Sequence, residues 1–337
     1  MSKKAVKVDI DKIVKKARSS FTKKNDLGLA QQLVTGSSIP RPTEPHEFVH
    51  WPNSPWELLT GVPGIPFGRI VQIAGKPDSG KSTHAMQFMK LAQDQGYTVL
   101  LWDPESKFSA FRFDNFFGGK SDDLLVVTSK LISEGADLIE AYVRALLSEY
   151  EDHKLLIVWD SVGGTLHKAE KTDVTDSKGS NKRGSHQLAI AAKENGTAIR
   201  GFVSLMEEFK NKETNEDRIA VLLINQTYAN IGSVGQKEAG GQKVEYHSSI
   251  IIQLSRTADI TKTRDKVKRK VGITTRAKVR KNHLLQTEDS IAEIKFDITA
   301  GGITVNAKDP ASALAGEYAS KEEFEPENEE VEGWEDD

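Results

Sequence analysis

Arg69-Ile-Val-Gln-Ile-Ala-Gly75-Lys-Pro-Asp-Ser-Gly80-Lys81-Ser82-Thr83-His-Ala-Met-Gln-Phe88 is the stretch that decides the fold. A short apolar run of strand length enters the pattern G-x-x-x-x-G-K-[ST], and a helical pattern leaves it. The glycines let backbone N–H groups curl around phosphates, and the following helix N-terminus adds its dipole. On this reading Gly75, Lys76, Pro77, Asp78, Ser79, Gly80, Lys81, Ser82 and Thr83 cradle a nucleoside triphosphate. Lys81 reaches the β- and γ-phosphates, and the Ser82 hydroxyl binds Mg²⁺. ATP with Mg²⁺ is therefore the expected cofactor pair.

Outward from this loop the chain alternates strand and helix. Strands are expected at Arg69–Ala74, Thr98–Trp102, Leu124–Thr128, Leu155–Trp159 and Ile219–Asn225, each a short apolar run of the buried parallel kind. Helices fit Lys81–Gln95, Ala136–Tyr150 and Ser185–Asn211. This order predicts an open α/β sheet flanked by helices. Three later strands, Ser249–Ser255, Thr274–Lys281 and Ala292–Thr299, are expected to extend it as an antiparallel edge, with a basic hairpin between the first two.

Leu155-Leu-Ile-Val-Trp-Asp160 supplies the second half of a phosphate site: a buried strand ending in a carboxylate that orients Mg²⁺ through water. Glu105, in Asp103-Pro-Glu-Ser after the next strand, stands where reacting groups gather in such a sheet. It is a candidate general base for the attacking water, with Asp103 as the alternative. Arg112 stands on the wall that would meet the base. Two polar loops follow core strands. One, Lys168–Ser185, carries Lys168, Lys171, Lys178, Lys182 and Arg183; the other is the glycine-rich run after Gln226. Such a pair suits a nucleic-acid groove, although their few aromatic residues argue against a base-stacking platform.

Charge is distributed unevenly. The whole chain carries a net −3, yet Lys321–Asp337 has ten acidic residues and one lysine, so the remainder stands at +6. Lys262–Lys281 holds ten Lys/Arg against one Asp, and the first 24 residues hold nine against two. A basic body with an acidic tail suits a polyanion partner, with a tail that competes for it. Ile10, Ile13, Val14, Ala17 and Phe21 predict an amphipathic helix over residues 8–22, followed by a linker over 25–56. The tail is expected to be disordered. With no cysteine, no apolar run of membrane length and no secretory signal, the expectation is a cytoplasmic protein of a bacterial or phage-infected cell, with no membrane partner.

In combination these motifs resemble the RecA recombinase family. The match runs through Gly64-Ile-Pro-Phe-Gly-Arg-Ile-Val-Gln-Ile, the phosphate loop, Asp103-x-Glu105, Trp159-Asp160-Ser161-Val162, Ile224-Asn225-Gln226, Gly240-Gly241, Thr275-Arg-Ala-Lys-Val-Arg-Lys281-Asn282 and Gly301-Gly302-Ile303. The layout looks closer to phage UvsX-type recombinases than to bacterial RecA.

The resemblance implies three parts: residues 1–50 as an oligomerisation helix and linker, 51–305 as a RecA-like ATPase core with DNA-binding loops, and 306–337 as the acidic tail. It implies that Glu105 activates water and that Gln226 senses the γ-phosphate. Lys281, with His283 where a second lysine is expected, would reach the neighbouring subunit's ATP. DNA contacts would come from Lys178, Lys182, Arg183, Lys193, Arg200, Ile231, Gly232 and Lys237.

Departures from the family pattern are His283, Glu245 at a basic interface position, and Tyr228 and Asn230 in the second loop. The activity implied is ATP-dependent pairing and strand exchange by a helical homo-oligomeric filament on single-stranded and double-stranded DNA, with single-strand-binding and mediator proteins as further partners. A hexameric helicase or branch-migration motor, or a nucleotide-binding mediator with little turnover, are the alternatives.

Overall fold

The computed structural model describes residues 47–51, 54–168, 183–229, 236–238, 241–264, 266–284, 291, 293–300 and 302–309. The expected N-terminal helix, most of the linker, Lys178, Lys182, Ile231, Gly232 and the acidic tail after Asp309 lie outside the described residues.

A ten-stranded mixed sheet runs through the molecule with helices on both faces, the expected α/β fold. Its middle is parallel: β3 (Ile70–Gly75) lies between β7 (Ile219–Ala229) and β9 (Ile250–Arg264). Beyond β7 follow β6 (Leu155–Asp160), β4 (Thr98–Trp102) and β5 (Leu124–Val127), all parallel. On the other side β10 (Val267–Asn282), β11 (Glu293–Thr299) and β12 (Gly302–Val305) continue antiparallel from β9. A small pair, β1 (Phe48–His50) and β2 (Gly64–Pro66), stands apart.

The strands are apolar because helices cover both faces. In β6, Leu155 to Trp159 are all fully buried, and each such large side chain contributes about 1.5–3 kcal/mol. On one face, α2 (Lys81–Asp94) and α3 (Ala110–Phe117) pack with α1 (Pro55–Thr60) around Phe88, Phe113 and Trp56. On the other, α4 (Ile132–Glu149) and α5 (Arg183–Glu208) pack around Ile139, Val143, Ile199 and Phe202. There the Trp102 and Trp159 rings stack 4.1 Å apart, and a Cβ on Gly135 would meet the Trp102 indole at 2.1 Å.

Four expectations are corrected. The first is β9, which is parallel to β3: α6 (Gln242–His247), buried at Val244, carries the chain back across the sheet before β9 begins. Second, the predicted hairpin is a long ribbon in which β9 and β10 pair as far as Arg264 and Val267. Alternation alone missed this, because its outer half is polar on both faces. Third, β7 runs four residues past Asn225 and is closed by β8 (Gln236–Glu238). Last, the end of the expected linker is packed. Phe48 and Val49 are buried, Trp51 lies edge-on to Phe88, and the Gln95 amide both donates to and accepts from the His50 backbone.

Candidate functional site

The parallel strands end together, so Gly75, Trp102, Asp160 and Gln226 share one rim of the sheet. There the phosphate loop turns from β3 into α2. A Cβ on Gly75 would fall 2.5 Å from the Leu254 carbonyl, and Gly80 has φ +91°, a conformation that favours glycine. Ser79 Oγ donates to the Lys76 carbonyl at 2.8 Å, as does Lys81 Nζ at 2.6 Å. From the antiparallel side, buried Thr275 donates to the Ser79 carbonyl at 3.1 Å. The loop is thus held by its own polar groups and by β10.

Ser82 donates to Asp160. Burial raises the Asp160 pKa above the usual carboxylate range, against the Ser82 hydrogen bond, while the nearby Asp103 and Glu105 push the same way as burial. Burial lowers the Lys81 pKa, opposed by Asp160, Asp78 and Glu105. Both groups are partly desolvated and feel each other's charge, an arrangement completed by a polyphosphate and a cation. A hydroxyl and a carboxylate are hard oxygen donors that suit Mg²⁺ alongside phosphate oxygens and water. Two protein oxygens suffice for that cation where the phosphates and water supply the rest.

Asp103 and Glu105 have separate tasks. The Asp103 carboxylate accepts the backbone N–H of Lys107 at 3.1 Å and of Phe108 at 2.8 Å, which ties the loop after β4 into a turn. Glu105 faces the rim. Its Oε1 accepts from Ser161 Oγ at 2.6 Å and from Gln226 Nε2 at 3.3 Å, and Gln226 Nε2 also donates to Ser161 Oγ at 3.2 Å. Lys107 Nζ pairs with Glu105 Oε2. Burial alone would raise the Glu105 pKa, but hydrogen bonds from Lys107, Ser161 and Gln226 together hold it below its ordinary value. Behind it, Thr165 Oγ1 donates to the Ser161 carbonyl at 2.9 Å and accepts from Trp159 Nε1 at 2.8 Å, which fixes the turn after β6.

Arg112 projects from α3 into a cleft of about 470 Å³ lined by Asp78, Thr83, Phe117, Gly272 and Ile298. Its Nη2 donates to Thr83 Oγ1 at 3.1 Å, and its guanidinium lies 5.8 Å from the Phe117 ring centroid. The fold thereby brings Lys81, Ser82, Asp160, Glu105, Gln226 and Arg112 together.

It does not bring in Lys281 or His283. Lys281 lies at the level of Ile251, near the start of β9, and its Nζ donates to the Glu245 and Tyr246 carbonyls at the end of α6. His283 is exposed, with its backbone N–H on the Ser249 carbonyl. Lys193 and Arg200 are exposed along α5, and Arg183 begins that helix. Lys237 pairs with Tyr228 across the β7–β8 ladder.

Sequence reading gave no role to Ser161 and Thr275, which it held only as parts of motifs, and did not single out Lys107 or Gly164. Ser161 directly follows the recognised Asp160, and Gly164 leaves room for Glu105, whose Oε1 would lie 2.2 Å from an added Cβ.

A parallel-centred α/β sheet whose rim gathers a phosphate loop, a strand-end aspartate and a buffered glutamate defines a P-loop nucleoside triphosphatase. Residues 53–303 match the RecA N-terminal domain family. The chain belongs to the RecA family. It is similar to the protein RecA of a Nitratiruptor species, 26% identical over 262 residues, covering 77% of this chain and 67% of that protein. It is similar also to protein RecA of Nitratidesulfovibrio vulgaris, 25% identical over 292 residues, 85% of this chain and 71% of that protein. For protein RecA of Zymomonas mobilis subsp. mobilis the figures are 27% over 248 residues, 73% and 62%. The chain thus spans about two thirds of the length of the curated relatives it matches. Among the described residues no helix is long and apolar enough to cross a membrane.

Proposed function

We propose that this protein is an ATP-dependent DNA recombinase that assembles as a helical filament on single-stranded DNA and exchanges strands with a homologous duplex. One observation carries the reading: Glu105, Ser161 and Gln226 form a single hydrogen-bonded cluster. Gln226 belongs to β7, which runs directly into the segment 227–241. A change at the terminal phosphate therefore has a short covalent route to a candidate DNA-binding loop.

In this reaction a water oxygen bonds to the γ-phosphorus and the bond to the β-phosphate oxygen breaks. The water gives one proton to Glu105, and ADP and inorganic phosphate leave. Lys81 and the loop N–H groups hold the phosphates, and Arg112 meets the base. Ser82 and, through water, Asp160 would hold Mg²⁺, which when bound would supply neutralisation of charge on the phosphate oxygens.

Lys281, whose ammonium rests on the Glu245 and Tyr246 carbonyls and not in its own phosphate loop, and His283 near it act on the ATP of the neighbouring subunit. DNA is contacted by Lys178, Lys182, Arg183, Lys193, Arg200, Ile231, Gly232 and Lys237, supplemented by the cationic ribbon. Residues 1–50 serve as the oligomerisation arm, 51–305 as the catalytic core and 306–337 as an acidic tail that competes with duplex. Single-strand-binding and mediator proteins are the expected partners, in a cytoplasmic setting.

The test is ATP hydrolysis with and without single-stranded DNA, and strand exchange between homologous DNAs, for the wild type and Lys81→Ala. The wild type should show DNA-stimulated hydrolysis and exchange, and Lys81→Ala should lose at least about a hundredfold of the hydrolysis rate. Normal hydrolysis in Lys81→Ala would overturn the site. Closed hexameric rings with DNA and an ATP analogue, seen by electron microscopy, would favour a helicase or branch-migration motor instead.

A further inference from the structure

Lys107 is a charged side chain at the rim that the reaction above leaves without a task. The turn tied by Asp103, with Ser106 at φ +52°, fixes its backbone and aims its side chain past Glu105. Together with Ser82, Asp103, Glu105, Phe108 and Asp160 it lines a cavity of about 40 Å³, room for a water or two. Its ammonium takes Glu105 Oε2, the oxygen that Ser161 and Gln226 leave open. That oxygen is the one left to accept a proton from water, and an ammonium bound to it lowers its basicity and crowds the approach, so the ion pair and general-base action compete for it.

The pair is poised to break. The Lys107 side chain is 73% exposed against 18% for Glu105, and ion pairs with one end in solvent are weak. A terminal phosphate, with more charge and three acceptor oxygens, is the stronger partner. The lysine stem is long and flexible, so the head can move while the backbone stays fixed. Its charge reaches the phosphate site: burial is the main cause of the lowered Lys81 pKa and Lys107 adds to it, while Glu105 is the main cause of the raised Lys107 pKa and Asp160 a smaller one.

We propose that Lys107 is a switch on Glu105 within the same subunit: its ammonium leaves Glu105 Oε2 for the terminal phosphate of a bound nucleoside triphosphate, which frees that oxygen to accept a proton from water. A diphosphate has no γ-phosphate to offer at that position, so the exchange also lets the site distinguish triphosphate from diphosphate. The proposal rests on the nucleotide-hydrolysis reading and assigns Lys107 as a positioning residue that becomes a phosphate contact.

The test is a fluorescence titration at fixed Mg²⁺ with labelled ADP and a labelled, non-hydrolysable ATP analogue. Lys107→Ala should bind ADP within about twofold of wild type and the analogue on the order of tenfold more weakly, the worth of one charge-assisted hydrogen bond. Lys107→Arg should recover most of that loss. Glu105→Gln removes the competing anion, so it should tighten analogue binding several-fold in the wild-type background and not in Lys107→Ala. An unchanged ratio of analogue to ADP affinity in Lys107→Ala, or equal effects of Glu105→Gln in both backgrounds, overturns the switch while ADP binding leaves the phosphate-loop reading intact. Failure of the wild type to bind either nucleotide overturns both.

Discussion

The parallel half of the sheet and its antiparallel extension are built on opposite rules. From β3 to β4 the strands are sealed between helices, and their interior residues, the buried Gln72 and Asn225 apart, are apolar and inaccessible. The groups that carry the chemistry lie where the strands end, at Gly75, Asp103, Asp160 and Gln226. In the extension each strand keeps a solvent face: Ile294, Phe296 and Ile298 are buried, whereas Glu293 and Lys295 are exposed. Farther out, the β9–β10 ribbon has Lys262 directly opposite Arg269, a like-charge pair that is locally unfavourable. Chemistry is concentrated at strand ends in one half, and charge is spread along strand faces in the other.

The seam between the halves should show the largest effect on stability. His84 of α2 is buried against Phe296 of β11 and against Trp51. Its Nδ1 donates to the Gly80 carbonyl at 2.9 Å, so Nε2 carries no proton and has no partner among the described residues. Burial lowers its pKa from 6.5 to about 4. The unfolded chain therefore binds the proton first as pH falls: the contribution is whole above pH 6.5 and is lost progressively between there and pH 4. At pH 5 this amounts to about 2 kcal/mol. Urea midpoints measured across this range should fall with acid in the wild type and much less in His84→Gln. Parallel curves would mean that the halves part at the seam before His84 is protonated.

Within the parallel half, Gly164→Ala should act on chemistry alone. The new Cβ must displace the Glu105 carboxylate, so hydrolysis should drop about tenfold, ~1.4 kcal/mol in the barrier, with nucleotide affinity unchanged. A normal kcat would show that the Glu105 contacts described above do not matter for turnover. On the ribbon, Lys262→Glu should change stability by no more than about 0.5 kcal/mol, because it is an exposed site and converts a like-charge pair into an opposite one. It should also reduce the salt dependence of DNA binding by about one phosphate contact. Unchanged salt dependence would remove the ribbon from the DNA interface.

The contrast also explains what could be read in advance. The phosphate loop, the Asp160 strand end and five parallel strands were legible because a strand buried on both faces must be an apolar run, and a phosphate cradle needs glycines at fixed spacing. By position alone Glu105 and Asp103 could not be separated, since both are carboxylates after the same strand; only the family resemblance favoured Glu105. The structure divides them by partner: Asp103 holds backbone N–H groups and Glu105 holds Ser161, Gln226 and Lys107. The ribbon's length and the direction of β9 were not legible, because polar two-faced strands carry little register information and six-residue α6 gives too short a pattern to read as a crossover.

By itself the sequence determined that this chain folds as an α/β protein around a phosphate loop, because local spacing and burial pattern suffice for that. Only the tertiary structure decided which polar groups meet. Glu105, Lys107, Ser161 and Gln226 come from three different strand ends, and the Ser79 carbonyl meets Thr275 nearly two hundred residues later. Such contacts depend on the order in which strands pair across the sheet, which is fixed by packing of the two apolar faces and not by any local run of residues.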